Sequence, residues 1–62
     1  MPNNMLTSKE LTLVSDLLIY EMSACKKARL YSRILTDEGL SEQCSKLADN
    51  HQNRFEKLLE LL

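Results

Sequence analysis

Apolar residues recur every three or four positions along most of the chain, which is the period of an amphipathic α-helix. Neither Gly nor Pro occurs between Ser8 and Leu35, and Thr7 followed by Glu10 has the spacing of a capping box, which predicts a helix over about 8–35. Asp37 is a suitable N-cap for a second helix over about 38–61. No segment alternates as a strand would. We therefore predict an all-α fold, an antiparallel two-helix hairpin.

The apolar stripe of each predicted helix indicates which residues face a neighbour. On the second helix the stripe repeats at intervals of three and four and consists of Leu40, Cys44, Leu47, His51, Phe55, Leu58 and Leu62. On the first helix it is broader and consists of Val14, Leu17, Leu18, Ala24, Cys25, Ala28 and Leu35. A stripe as broad as this one can contact more than one neighbour. Outside it lie four further apolar residues that we assign to packing against a partner helix, namely Ile19, Tyr20, Leu30 and Tyr31.

A short turn near Thr36 fixes the register of the hairpin, because residues whose numbers add up to about 72 then lie at the same height. Apolar residues meet apolar residues in this register, in the pairs Val14 and Leu58, Cys25 and Leu47, Ala28 and Cys44, and Leu11 and Leu61. Glu21 comes level with His51, and both are near the middle of their stripes. We expect this carboxylate and this imidazole to be buried together.

The chain has 62 residues, which we interpret as a single domain over residues 1–62. Ordering a residue costs about 1.5 kcal/mol, and the apolar surface that so small a monomer can bury offsets little more than this cost. A partner is therefore expected. We predict a homodimer in which two hairpins form a four-helix bundle.

Charge and composition exclude several kinds of partner. Eight basic and nine acidic residues give a net charge of -1, and the longest basic run is Lys26-Lys27, so no nucleic-acid partner is expected. No uncharged apolar stretch reaches 18 residues, so no membrane span is expected. The first residues, Met1–Asn4, are polar and contain Pro, and we expect them to be frayed.

Two cysteines, Cys25 and Cys44, are too few for the disulfide framework of a small secreted domain. Both lie on apolar faces, where free cysteines commonly pack as small hydrophobic residues. We interpret them as structural thiols of a protein in a reducing interior, which indicates a cytoplasmic location.

Glu21 and His51 are the candidate site residues. One interpretation is a metal site, since four-helix bundles of the ferritin-like kind hold metals with inward Glu residues and Glu-x-x-His motifs. The other is a buried hydrogen bond that fixes the helix register. Ala48 stands where the motif would place its Glu, so we favour the hydrogen bond. No catalytic residue, cofactor or bound metal is predicted, and Glu21 and His51 remain the candidate ligands if a metal binds.

The sequence resembles the short spore-coat proteins of spore-forming Firmicutes, which are related to the Coat F domain and the wider ferritin-like group. The resemblance spans nearly the whole chain, in Leu6-Thr7-Ser8-Lys9-Glu10-Leu11, Asp16, Glu21, Lys26-Lys27, Tyr31, Thr36-Asp37-Glu38, Leu40, Leu47-Ala48, His51-Gln52, Phe55 and Leu58-Leu59. Gly39 and Arg54 depart from it, at places where the family tends to have Glu and a second His. The resemblance implies a non-enzymatic structural or interaction protein of the sporulating cell or the spore coat, with other coat proteins as further partners.

An alternative function is that of the Spo-zero-E-like aspartyl-phosphate phosphatases, which are also small helical hairpins. Their Ser-x-x-x-Asp motif is similar to Ser45-Lys46-Leu47-Ala48-Asp49. The residue before Asp49 is Ala rather than Leu, and the Leu-Ile pair of the family is replaced by Asn50-His51. This resemblance implies an exposed Asp49 that acts on the aspartyl-phosphate of a sporulation response regulator.

Overall fold

The fold is an antiparallel hairpin of two long α-helices, seen in a computed structural model that describes residues 6–62. Helix α1 spans Ser8–Ile34 and helix α2 spans Glu38–Leu59. The two helices pack against each other over most of their length, in a particle of 46 × 17 × 11 Å. The predicted all-α hairpin is confirmed. The expectation that Met1–Asn4 is frayed lies outside the described residues.

Side-chain caps define the start of each helix as the sequence predicts. The Oγ1 of Thr7 accepts a hydrogen bond from the Glu10 backbone N–H at 3.0 Å, and the Glu10 carboxylate accepts one from the Thr7 N–H at 3.0 Å. At the second helix, the Leu40 backbone N–H donates to Oδ1 of Asp37 at 2.9 Å. These contacts satisfy backbone donors that have no partner within the helix.

The helices end slightly earlier than predicted. Leu35 caps α1 in an extended conformation, with φ −72° and ψ 132°, rather than continuing the helix. At the end of α2 the Leu61 and Leu62 backbone N–H groups bond to carbonyls only three residues back, at 3.0 Å. Such tightened bonds are common where the last carbonyls of a helix lack regular partners.

The contact between the helices, called the seam below, contains small side chains. Its buried and half-buried members are Val14, Leu18, Glu21, Ala24, Cys25 and Ala28 on α1, and Ser41, Cys44, Ala48, His51, Phe55 and Leu58 on α2. Ala48 is 0% exposed, and no large side chain among the described residues is fully buried. The buried hydrophobic residues Val14, Ala28 and Ala48 are small, which allows the helices to approach closely, whereas the larger seam residues Leu18, Phe55 and Leu58 are only half-buried.

The predicted stripe of α2 was wrong at three positions. Leu40, Leu47 and Leu62 are exposed, and Ser41 and Ala48 occupy the seam instead. Helix α2 therefore contacts α1 through the side that carries the smaller residues Ser41 and Ala48. Close packing of two antiparallel helices favours Ala over Leu at the points of contact. Of the apolar pairs expected at equal height, Cys25 with Leu47 and Leu11 with Leu61 do not form buried contacts, since these three leucines are exposed.

The predicted register is nevertheless confirmed at two heights. Glu21 contacts His51 near the middle of the hairpin, with 2.5 Å between Oε1 and Nδ1. Nearer the turn, the Ser41 hydroxyl donates to the backbone carbonyl of Ser32. Neither helix of the described chain has an apolar stretch of the length and low charge that crossing a bilayer needs.

Candidate functional site

A cluster of three polar side chains interrupts the apolar seam at mid-height. Glu21 on α1 is 7% exposed, and both of its carboxylate oxygens are engaged by α2. Oε1 contacts Nδ1 of His51 at 2.5 Å, and Oε2 accepts a hydrogen bond from Nε of Arg54 at 3.1 Å. The predicted pairing of Glu21 with His51 is therefore present, with Arg54 as a third member.

The surroundings of Glu21 favour its ionised form. The hydrogen bond with His51 has the largest influence and lowers the pKa of Glu21 below its ordinary value of 4.5. Burial acts in the opposite direction, while the hydrogen bond and charge of Arg54 lower the pKa of Glu21 further. The carboxylate is thus a charged acceptor held between two donors.

An ionised Glu21 determines which ring nitrogen of His51 carries a proton. At 2.5 Å from a carboxylate oxygen, Nδ1 must donate, so it bears hydrogen. Nη2 of Arg54 lies 3.0 Å from the same Nδ1 and can only donate, so these two nitrogens cannot also share a hydrogen bond. Within the described residues, Nε is then the guanidinium nitrogen of Arg54 that has an acceptor.

This arrangement limits what Glu21 and His51 can do as metal ligands. Oε1 and Oε2 of Glu21 and Nδ1 of His51 are all committed to the cluster, which leaves the unprotonated Nε2 of His51 as the atom of the pair that is free to bind a metal. Within residues 6–62, no group of three or more His, Cys, Asp and Glu side chains is placed to hold a metal ion. The geometry suits a polar tie between the helices better than a metal centre.

The Ser45 and Asp49 pair of the alternative function lies on the opposite side of α2 from Arg54. The Asp49 side chain is 64% exposed, and Nη2 of Arg29 donates to its Oδ1 at 2.9 Å. The hydrogen bond with Asp49 is also the main reason that the pKa of Arg29 is raised. Asp49 is therefore accessible, but it is paired with a cation from α1.

Neither cysteine is hydrogen-bonded to Glu21, His51 or Arg54. Cys25 and Cys44 are both free and half-buried in the seam, as expected of structural thiols. Cys25 also lines a groove on one side of the hairpin, together with Met22, Lys26, Gln52, Phe55, Glu56 and Leu59.

The other side of the hairpin carries a continuous row of large apolar side chains. We call it the leucine face, and it consists of Leu13, Leu17, Tyr20 and Tyr31 of α1 and Leu40, Leu47, Leu58 and Leu61 of α2. Leu40, Leu47, Arg54 and Leu61 repeat every seven residues, which keeps them on one side of α2. Leu17, Leu58 and Leu61 line one groove together with Glu21, Arg54 and Lys57, so the two helices contribute to the same surface.

The polar cluster lies at the boundary between the seam and the leucine face. The ring of Tyr20 stands edge-on to the imidazole of His51, with 6.1 Å between ring centroids. The Arg54 side chain is 52% exposed and reaches the leucine face, whereas Glu21 beneath it is buried. The cluster therefore joins the inside of the hairpin to its apolar surface.

No protein-family model, curated protein or solved structure matches this chain. The site must therefore be interpreted from its own geometry.

Sequence reasoning found two members of the cluster and missed the third. Glu21 and His51 followed from the register, but Arg54 was considered only as a departure from a family pattern. The signal was available, because Arg54 is three residues after His51 and so lies on the same side of α2, within reach of the same carboxylate.

Proposed function

We propose that this protein is a structural or interaction protein whose hairpin pairs with a second copy, through the leucine face, to form a four-helix bundle. The observation that carries the proposal is the position of its large apolar side chains. Seven of the eight residues of the leucine face are exposed in the single hairpin, whereas the buried hydrophobic residues, Val14, Ala28 and Ala48, are small.

The energetic argument favours a partner for this surface. Complete burial of one Leu side chain contributes about 1.5–3 kcal/mol, so a row of exposed leucines is a large unused source of stability. A contiguous apolar surface of this kind marks an interaction site in soluble proteins. The hairpin alone, with three buried hydrophobic residues, Val14, Ala28 and Ala48, has little core of its own.

A second copy is the partner that fits most simply. A twofold interface uses the same surface on both subunits, and the leucine face, which exposes apolar residues of both helices, is the surface that such an interface would bury. Two antiparallel hairpins packed face to face give the four-helix arrangement in which each helix has two neighbours. We expect such a dimer to bury well over about 1,000 Å².

The cellular role rests on the resemblance to short spore-coat proteins. A small bundle without catalysis suits a layer-forming role, and other coat proteins are then further partners. The location would be the sporulating cell or the spore coat. A fluorescent fusion of the full chain expressed in a spore former would test this role: enrichment on the developing spore supports it, and uniform fluorescence throughout sporulation contradicts it.

Oligomeric state tests the central proposal. Sedimentation velocity of the full chain at micromolar concentration should give one species of twice the 7.2 kDa chain mass. A folded monomer under these conditions would contradict the homodimer.

Two matched leucine variants locate the interface. Leu47→Glu places a charge on the leucine face, and Leu30→Glu places the same charge at an equally exposed position on the outer side of α1, since the two leucines are 50% and 52% exposed. An unpaired charge buried in an interface costs about 3 kcal/mol, so L47E should weaken the dimer at least about 100-fold. L30E should leave it intact, and an equal loss in both variants would place the interface elsewhere.

The alternative proposal is an aspartyl-phosphate phosphatase that uses Asp49. The 64% exposure of the Asp49 side chain supports it, and the ion pair with Arg29 weakens it because the carboxylate is partly neutralised. A phosphate-release assay on a phosphorylated response regulator separates the two proposals. Release that is lost in Asp49→Asn and retained in Asp37→Asn would favour the enzyme, and no release by the parent protein would remove it.

A further inference from the structure

Two cations, Arg54 and Lys57, line the groove beside Leu17, Leu58 and Leu61 of the leucine face, and Arg54 is the one tied to the interior of the hairpin. It occupies the Leu40, Leu47, Leu61 series at the position where a fourth leucine would complete the row. Its Nε donates to the buried carboxylate of Glu21 at 3.1 Å, which holds the guanidinium near the middle of the face. The Arg54 side chain as a whole is 52% exposed.

The guanidinium of Arg54 loses its contact with water when a second copy covers the leucine face, and this loss costs free energy. This step rests on the proposed function. Nη1 and Nη2 of Arg54 have no acceptor among the described residues, because Nδ1 of His51 must donate to Glu21. A buried guanidinium needs acceptors for these groups, and leaving them unpaired is strongly destabilising. The second copy must therefore present oxygen atoms at this place, and the hydroxyls of Tyr20 and Tyr31 are polar groups that it brings to the same face.

An interface made of apolar side chains alone does not require oxygen atoms at a fixed place on the partner. Leucine rows pack at several offsets and in bundles of several sizes, whereas a single buried polar group selects the arrangement that satisfies it. We propose that Arg54, held by Glu21, is the residue that determines specificity at this interface, limiting association to one dimer with one register and excluding larger assemblies of the leucine face.

Lys27 is the natural comparison on the same surface. It follows Tyr20 by seven residues and so lies along the same side of α1, at the edge of the leucine face. It has no ion pair within residues 6–62. Its long flexible stem can carry the ammonium group out to water when the face is covered, so it sets no geometric condition.

The experiment compares Arg54→Met with Lys27→Met in the full chain. Each substitution removes one positive charge from the leucine face and keeps an unbranched side chain. Sedimentation velocity over a concentration series measures the species present, and circular dichroism at 222 nm confirms that the helices are retained. We expect the parent protein and K27M to give a single dimer, and R54M to give dimer together with larger species.

Arg54→Ala covers the case in which R54M precipitates, because it removes the guanidinium without adding apolar surface, and the same loss of a single species is expected. If R54M and R54A both remain single dimers, the proposal for Arg54 is overturned while the homodimer stands. The same mixture in K27M also overturns it, since any lost charge would then suffice. A monomeric parent protein would instead overturn the proposed function itself.

Discussion

The seam and the leucine face use the same two helices in opposite ways. The buried hydrophobic residues of the seam, Val14, Ala28 and Ala48, are small, and its larger members are only half-buried. The leucine face holds the large side chains and leaves most of them in water. The difference shows that the contact between the two helices buries few of the large apolar side chains of the chain.

The largest expected effect comes from overfilling the seam. Ala48→Leu adds three carbon atoms at a position that is 0% exposed, which forces the helices apart. Overpacking of this kind costs about 3 kcal/mol, and the Tm should fall by at least about 10 °C in a domain of this size. Thermal unfolding followed by circular dichroism measures the change.

Leu47→Ala is the matched control for the seam, because it changes the neighbouring residue on the other side of the boundary. It should weaken the dimer in sedimentation while its helical content stays that of the parent protein at concentrations where both are dimeric. If A48L were as stable as the parent protein, the seam would not be the tight contact described here.

The sequence predicts more about the helices than about how they face each other. The caps at Thr7 and Asp37 are local hydrogen bonds between residues three apart, so short motifs identify them. The register follows from the length of the turn. The sequence does not predict how α2 is rotated about its axis. Hydrophobicity ranks Leu47 above Ala48 as a core residue, whereas close helix packing prefers the smaller side chain.

A second expected effect concerns the cluster at the boundary between the two regions. His51→Ala removes the closest partner of the buried Glu21 carboxylate, and a buried acceptor that loses a partner is destabilising. Arg54 keeps hold of Oε2, so the loss is partial. We expect the Tm to fall by roughly 5 °C. A variant as stable as the parent protein would show that the pair contributes nothing to the seam.

The pH dependence of stability gives a smaller effect with a definite sign. The pKa of Glu21 is lowered in the folded state, mainly by the hydrogen bond with His51, so its ionised form stabilises the fold. This contribution is complete above the ordinary pKa of 4.5 and is lost as the pH falls through the lower value in the folded protein. Glu21→Gln has the same shape and cannot ionise.

The Tm difference between the parent protein and E21Q should therefore be greatest near neutral pH and shrink in acid, below pH 4.5. Ser15→Ala, at a half-buried position of α1 away from the cluster, provides a control in which the difference from the parent should not depend on pH. A Tm difference for E21Q that stayed constant from pH 7 to pH 3 would contradict the assigned ionisation of Glu21.

The smallest expected effect is that of added metal. A stable zinc or iron site needs several nitrogen, sulfur or oxygen ligands free to converge on one ion. Here both oxygens of Glu21 and Nδ1 of His51 are committed to one another and to Arg54, so in each hairpin this cluster offers Nε2 of His51 as its free ligand atom. Even a twofold dimer then supplies two such nitrogens.

We expect elemental analysis of the purified protein to find no stoichiometric zinc or iron, and we expect added Zn²⁺ to leave the Tm unchanged. Stoichiometric metal that is lost in His51→Ala would contradict this expectation. It would show that Glu21 and His51 bind a metal ion instead of the hydrogen-bond partners described above.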